Sequence, residues 1–237
     1  MLTFGSLFAG IGGFDLGFER AGMQCKWQVE IDPYCNRVLA KHWPHVRRWP
    51  DVRTWPQPDT EWVDVICGGF PCQDISPAGT KRGLRGKRSG LWFEFARIVR
   101  CVMPTFVVVE NSAAITDRGM GSVLRDLAKI GYDAEWEVLS ACAFGAPHSR
   151  DRMFLIAHPY GSELRAPWQA QDQVAPTGLH QRGSLASGQL GSWWSVQPEP
   201  CSVVYGVPGV VDRLRPYGNA VVPQVAEWIG RRIVEVA

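Results

Sequence analysis

Three short stretches carry side chains that could do chemistry. Cys72 follows Pro71 in the Gly-rich turn "GGFPCQDIS" (68–76), directly behind the apolar run Val63–Cys67. A cysteine there, between a buried strand and a polar loop, is badly placed for core packing. It suits a nucleophile whose thiolate is favoured by turn N–H groups and nearby positive charge. Glu110 and Asn111 end "VVVENS" (107–112), after three valines. A carboxylate at such a strand end is desolvated and its pKa raised, which suits a group that shares a proton near neutral pH. A satisfied structural glutamate is the plainer alternative. In "PHSRDRMF" (147–154), Arg150 and Arg152 stand two apart, so both point to one side if the chain is extended. Taken alone, such a pair is better read as a solvated face or a salt bridge.

A second constellation lies near the N-terminus. "LFAGIGGFDLGFERAG" (7–22) runs strand, turn, helix, and Gly10, Gly12 and Gly13 let the backbone turn tightly and approach a ligand. Glu30 stands at the carboxyl end of the next strand, in "VEID", where a carboxylate can take both ribose hydroxyls. The turn reads FxGxGG rather than GxGxxG and has no P-loop lysine. An adenosine derivative other than a triphosphate or hydride carrier is therefore favoured. "PDV" (50–52) offers Asp51 to an adenine amino group, or simply a loop aspartate.

The elements that must position these residues alternate. Strands are expected at Leu2–Phe8, Trp27–Ile31, Val63–Cys67, Phe106–Val109 and Met153–Ala157. Helices follow Gly13 up to Gly22, open at Pro33, run Leu91–Met103 to Pro104, and cover 118–130 and 223–236. Solidly apolar strands alternating with helices give an α/β fold: a doubly wound, mainly parallel, Rossmann-like sheet covered on both faces. Residues 158–200 are rich in Gln, Gly, Ser and Pro, without periodicity, before order returns near Val203–Tyr205. The division expected is 1–157 for catalysis and cofactor, 158–204 for a reduced recognition region, and 205–237 for a segment returning to the first.

Composition narrows the class. The 237 residues are 46% hydrophobic and 20% charged, enough for one domain with a sizeable core. A net charge of +2 says little, but Ile75–Phe93 holds five basic residues and no acid. Seven cysteines, an odd count without CxxC spacing, point to a reducing cytosol, and no metal site is expected from them or from His42 and His45. With no signal peptide and no bilayer-length apolar run, a soluble cytoplasmic protein without a membrane partner is expected.

Jointly the stretches resemble the DNA (cytosine-5) methyltransferase family, which uses S-adenosylmethionine. The matching residues, in the family's order, are Phe8-Ala9-Gly10-Ile11-Gly12-Gly13, Glu30, Asp51-Val52, Gly69-Phe70-Pro71-Cys72-Gln73, Glu110-Asn111, Arg150-x-Arg152 and Gly218-Asn219-Ala220-Val221-Val222-Pro223. They cover residues 3–157 and about 205–235. Ser112 replaces the usual valine and His148 the usual glutamine. The stretch where the family carries its target-recognition domain is short.

The resemblance implies that Cys72 adds to C6 of a cytosine and makes C5 nucleophilic. Glu110 would hydrogen-bond N3 and the exocyclic amine, Arg152 hold O2, and Arg150 support the site. Phe8–Gly13, Glu30, Ile31, Asp51, Val52, Gly69, Pro71, Leu91, Asn219, Ala220 and Val221 would hold S-adenosylmethionine. The base must leave the duplex for this chemistry. Gln73, Ser76, Lys81, Arg82, Arg85, Lys87 and Arg88 would then meet double-stranded DNA in a loop that closes over it. A monomer, acting beside a cognate restriction endonuclease, is the expected setting. Residues 158–200 hold Trp168, Trp193, Trp194, Arg165, Arg182 and six glutamines, so a short target of about two to four base pairs is expected. Two other enzymes would use parts of this layout: an RNA (tRNA) cytosine-5 methyltransferase, and an oxidoreductase built on Cys72, which lacks a resolving cysteine. A non-catalytic nucleic-acid binder has no need for Cys72, Glu110 and both arginines together.

Overall fold

The computed structural model of the chain describes residues 1–57, 60–71, 90–162 and 218–237. Seven strands form one sheet: β1 (Thr3–Leu7), β2 (Gln24–Val29), β3 (Arg47–Trp49), β4 (Val65–Gly69), β5 (Phe106–Ser112), β6 (Tyr132–Ser140) and β7 (Asp151–Pro159), in the order β3-β2-β1-β4-β5-β7-β6. The first five pair in parallel, whereas β7 runs antiparallel to β5 and to β6. This is the doubly wound, mainly parallel architecture that the alternating pattern implies.

Burial on both faces explains the apolar strands. Along β4 and β5, Val65, Cys67, Phe106 and Val108 face helix α1 (Gly13–Arg20) and α6 (Pro223–Val236). Their neighbours Ile66, Val107 and Val109 join the core beneath α3 (Leu91–Val102) and α5 (Met120–Ile130). Each strand therefore alternates between two apolar layers rather than between core and water. Helix α2 (Pro33–His42) joins β2 to β3, with Cys35 and Leu39 buried.

Chain ends meet at α1 and α6. A methyl group on Gly17 would lie 2.5 Å from Ala226 Cβ, and one on Gly230 2.8 Å from Ala21 Cβ. These two glycines let the helices approach closely enough to seal one face of the sheet.

Three features depart from the sequence expectation. The helix expected over 118–130 is divided at Gly119 into α4 (Ile115–Arg118) and α5. Edge strand β3 is only three residues long, too short for a periodic signal. Edge strand β6 reads "YDAEWEVLS", and its exposed Asp133, Trp136 and Glu137 break the apolar run that marks a buried strand.

Candidate active site

The first constellation gathers at the carboxyl end of β5. Glu110 is 8% exposed, and its Oε1 lies 3.0 Å from Arg152 Nε. Burial pushes the Glu110 carboxyl up from 4.5 to about 7, against the lowering effect of Arg152 and then Arg150. The group is thus poised to hold or release a proton near neutrality. Gly69, at the end of β4, pairs with Glu110 across the sheet. A methyl group on Gly69 would stand 2.6 Å from Glu110 Oε2, so only glycine lets the carboxylate occupy this place. Buried Asn111 donates from Nδ2 to the Phe70 carbonyl at 3.0 Å, tying β5 to the backbone just before Pro71.

Topology explains why the arginines reach Glu110. Because β7 is antiparallel to β5, its beginning meets the end of β5, with Arg152 opposite Ser112. Arg150 and Arg152 reach one cleft, but not by the two-residue alternation of an extended chain. Arg150 precedes the strand in a left-handed conformation (φ 32°), so the two-residue alternation does not extend to it. Its guanidinium donates from Nη1 to the Gly218 carbonyl at 2.6 Å and from Nη2 to the Ala220 carbonyl at 2.9 Å. Both arginines still line one cleft with Glu110, Leu139, Phe154 and Val222.

The second constellation lies beyond the ends of β1 and β2. Phe8 (φ 53°), Gly10 (φ 58°) and Gly12 (φ 88°) all take left-handed backbone, which turns the chain from β1 into α1. Nothing crowds Gly10: the atom nearest to an added methyl would be the Phe8 carbonyl oxygen at 4.0 Å. Glu30 Oε2 accepts from Gly10 N at 2.7 Å, and Oε1 accepts from Asp32 N at 2.7 Å. Burial raises the Glu30 pKa, opposed by those backbone N–H groups. Beside it Ile31 is 65% exposed, an unusual position for an isoleucine. Asp51 caps the short helical turn Val52–Thr54, with Val52 buried. Its carboxylate is paired with Arg53 at 2.7 Å, which holds its pKa below the usual range.

One segment joins the two constellations. Asn219, Ala220 and Val221 precede α6, and the Val221 carbonyl lies so close over Gly13 that no side chain fits there. Ala220 of this segment and Gly218 just before it supply the carbonyls that Arg150 binds. Leu91 opens α3 and packs, half-buried, on the core shared with Phe8. The structure thus brings together Phe8, Ala9, Gly10, Ile11, Gly12, Gly13, Glu30 and Ile31 on one side, and Gly69, Pro71, Glu110, Arg150 and Arg152 on the other. Cys72, Gln73, Ser76, Lys81, Arg82, Arg85, Lys87 and Arg88 lie outside the described residues, as do the tryptophans of 163–217.

Sequence reasoning missed two features. Arg53, the partner of Asp51, is a surface arginine with no distinguishing signal. Asp15, fully buried in α1, had one: it is an acid among Phe14, Gly17 and Phe18 on the face that the helix buries.

A doubly wound sheet with a glycine turn after β1, an acid after β2 and a carboxylate–arginine pair where β5 meets β7 is a class I methyltransferase layout. Among solved structures the chain resembles a prophage-encoded protein of E. coli described as a candidate DNA modification methyltransferase. That match has TM-score 0.60 and 27% identity, and covers 70% of this chain and 49% of that one. The family model for C-5 cytosine-specific DNA methylase matches residues 2–189, and the chain belongs to that family. Type II methyltransferase M1.HphI of Haemophilus parahaemolyticus is 35% identical over 179 residues, 70% of this chain and 48% of that protein. Type II methyltransferase M.AquIA of Picosynechococcus sp. is 31% identical over 213 residues, 81% of this chain and 85% of that protein. The chain spans about half the length of most of the curated relatives it matches. Among the described residues, no helix is long and apolar enough to cross a membrane.

Proposed function

We propose that this chain is a DNA (cytosine-5)-methyltransferase that takes its methyl group from S-adenosylmethionine. The observation that carries the reading is Glu110. A nearly buried carboxyl held near neutral pKa, with Arg152 at 3.0 Å, matches the polar edge of cytosine. Protonated Glu110 donates to N3 and its other oxygen accepts from the exocyclic amine, while Arg152 holds O2. These contacts offset the negative charge that builds on the ring when a thiolate adds to C6. Cys72, two residues beyond Phe70, supplies that thiolate and leaves once the C5 proton is removed. Asn111 holds the Phe70 carbonyl, so the strand that bears Glu110 also anchors the backbone two residues before Cys72.

The donor set at the other end fits an adenosine derivative. Glu30 offers a carboxylate for two ribose hydroxyls, Ile31 an exposed apolar surface for the base, and Gly10 an uncrowded turn. When bound, S-adenosylmethionine supplies an electrophilic methyl. Asn219, Ala220 and Val221 then separate the cofactor turn from the base site and register one against the other. We assign 1–157 and the returning 205–237 to this catalytic unit, which the α1–α6 packing supports, and 158–204 to target recognition. The partner is double-stranded DNA, met as a single chain alongside a cognate restriction endonuclease. The basic residues between Lys81 and Arg88 suit phosphate contacts.

A 5-fluorocytosine duplex incubated with S-adenosylmethionine tests the reading, because fluorine cannot leave C5 as a proton does. Wild-type protein should be trapped covalently and Cys72→Ser should not. Normal turnover by Cys72→Ser would remove the assignment, and bisulfite sequencing of plasmid from expressing cells reads the product directly.

A further inference from the structure

Asp15 is a fully buried carboxylate with no role in the chemistry above. It stands in the first turn of α1, immediately after the glycine turn. Its Oδ1 accepts from Gln28 Nε2 at 2.8 Å and Cys25 Sγ at 3.5 Å, and its Oδ2 from Ser6 Oγ at 3.2 Å. Ser6 belongs to β1, and Cys25 and Gln28 to β2. These are the strands whose ends bear the glycine turn and Glu30. Gln28 is itself oriented, since Arg48 Nη1 lies 3.4 Å from its Oε1 and leaves the amide N–H groups for Asp15. An apolar side chain would seat α1 on this core without the desolvation cost of a carboxylate.

We propose that Asp15 is a positioning residue for the cofactor turn: by clamping the first turn of α1 to β1 and β2, its ionised carboxylate holds Gly10–Gly13 in register with Glu30. The proposal rests on the reading of that turn and Glu30 as the cofactor site. Gln28, Cys25 and Ser6 can all donate to the ionised carboxylate, and Cys25 Sγ also lies 3.7 Å from the Trp27 carbonyl. Once the carboxyl carries a proton it becomes a donor itself, so the Ser6 hydroxyl or the Cys25 thiol must switch to accepting, charge-assisted bonds give way to weaker neutral ones, and the clamp loosens.

Burial pushes Asp15 up from 3.8 to about 6, with Gln28, Ser6 and Cys25 opposing the rise. The loosening therefore falls in an accessible pH range. The titratable groups around it are the Cys25 and Cys67 thiols, which burial raises, and Glu19 further along α1. Helix α6 brings Glu227 and Arg231, paired with each other and near Arg20, and Arg232, which lies over the Trp228 ring.

Calorimetric titration with S-adenosylhomocysteine between pH 5.5 and 8.5 tests this in wild type, Asp15→Asn, Ser6→Ala and Glu30→Gln. Wild type should lose affinity as pH falls through about 6. Asp15→Asn should bind about tenfold more weakly at pH 8, the effect of losing one charged hydrogen-bond network. Ser6→Ala removes one donor to the ionised form and should move the acid limb up by about half a pH unit. That variant keeps the test decisive where Asp15→Asn does not fold. Asp15→Asn binding within about twofold of wild type, or an unmoved limb in Ser6→Ala, overturns the positioning role while Glu30→Gln still binds weakly. Wild-type affinity in Glu30→Gln would instead overturn the cofactor site itself, and the clamp with it.

Discussion

Glu110→Gln should make the protein less active and, at alkaline pH, more stable. The substitution removes the titrating proton but keeps an oxygen for Arg152 Nε–H. Folding raises the Glu110 pKa from 4.5 to about 7, so the folded chain binds this proton more tightly than the unfolded one. The resulting stabilisation is fully present below about 4.5 and is lost as pH rises through about 7. Over that interval, at about 1.4 kcal/mol per pH unit, ionised Glu110 costs roughly 3 kcal/mol at pH 8.5. Arg152 already counts in that figure, because it lowers the pKa from where burial alone would set it. Urea unfolding of wild type and Glu110→Gln at pH 5 and pH 8.5 measures the difference. The variant should gain up to about 3 kcal/mol relative to wild type between the two pH values. Methyl transfer at pH 7.5 should fall about 10²-fold or more, as for loss of a positioned proton donor. A stability difference that is the same at both pH values would refute the argument, since the carboxyl would then not be titrating where its burial places it.

Glu30→Ala should weaken S-adenosylmethionine binding by about 1–3 kcal/mol in calorimetry, with affinity for DNA unchanged. Asn111→Ala removes the bond to the Phe70 carbonyl and should cost about 1 kcal/mol in denaturant unfolding, with a slower methyl-transfer step at unchanged cofactor affinity. Gly17→Ala places a methyl 2.5 Å from Ala226 Cβ and should destabilise by about 1–3 kcal/mol, read as a lower melting temperature.

Much of the architecture was legible because this sheet is buried on both faces. Strands such as Phe106–Val109 must then be apolar at every position, and a run of valines and aromatics announces them. The glycine turn was legible for a related reason. Three positions there take left-handed backbone, and two of them are Gly10 and Gly12. The acids were legible by position: Glu110 follows three valines, and Glu30 stands at the carboxyl end of a strand just beyond the glycine turn.

What the sequence did not announce were strands without such a burden. β3 is three residues long, and β6 lies at an edge where Asp133 and Glu137 meet water. The grouping of Glu110 with the arginines was expected, but without β6 the strand reversal that achieves it was not. Arg150 precedes β7 and Arg152 is its second residue, and in a wholly parallel sheet the start of a strand lies at the edge opposite Glu110. Only the reversal of β7, with β6 antiparallel beside it, carries those arginines to the carboxyl end of β5. The sequence by itself determined which residues could do chemistry and which strands were core, because burial and left-handed backbone each restrict the residue types allowed. Strand direction leaves no comparable mark, since an apolar strand reads alike in either sense. The tertiary structure decided that Arg152 lies against Glu110, and that Arg150 turns instead to the carbonyls of Gly218 and Ala220.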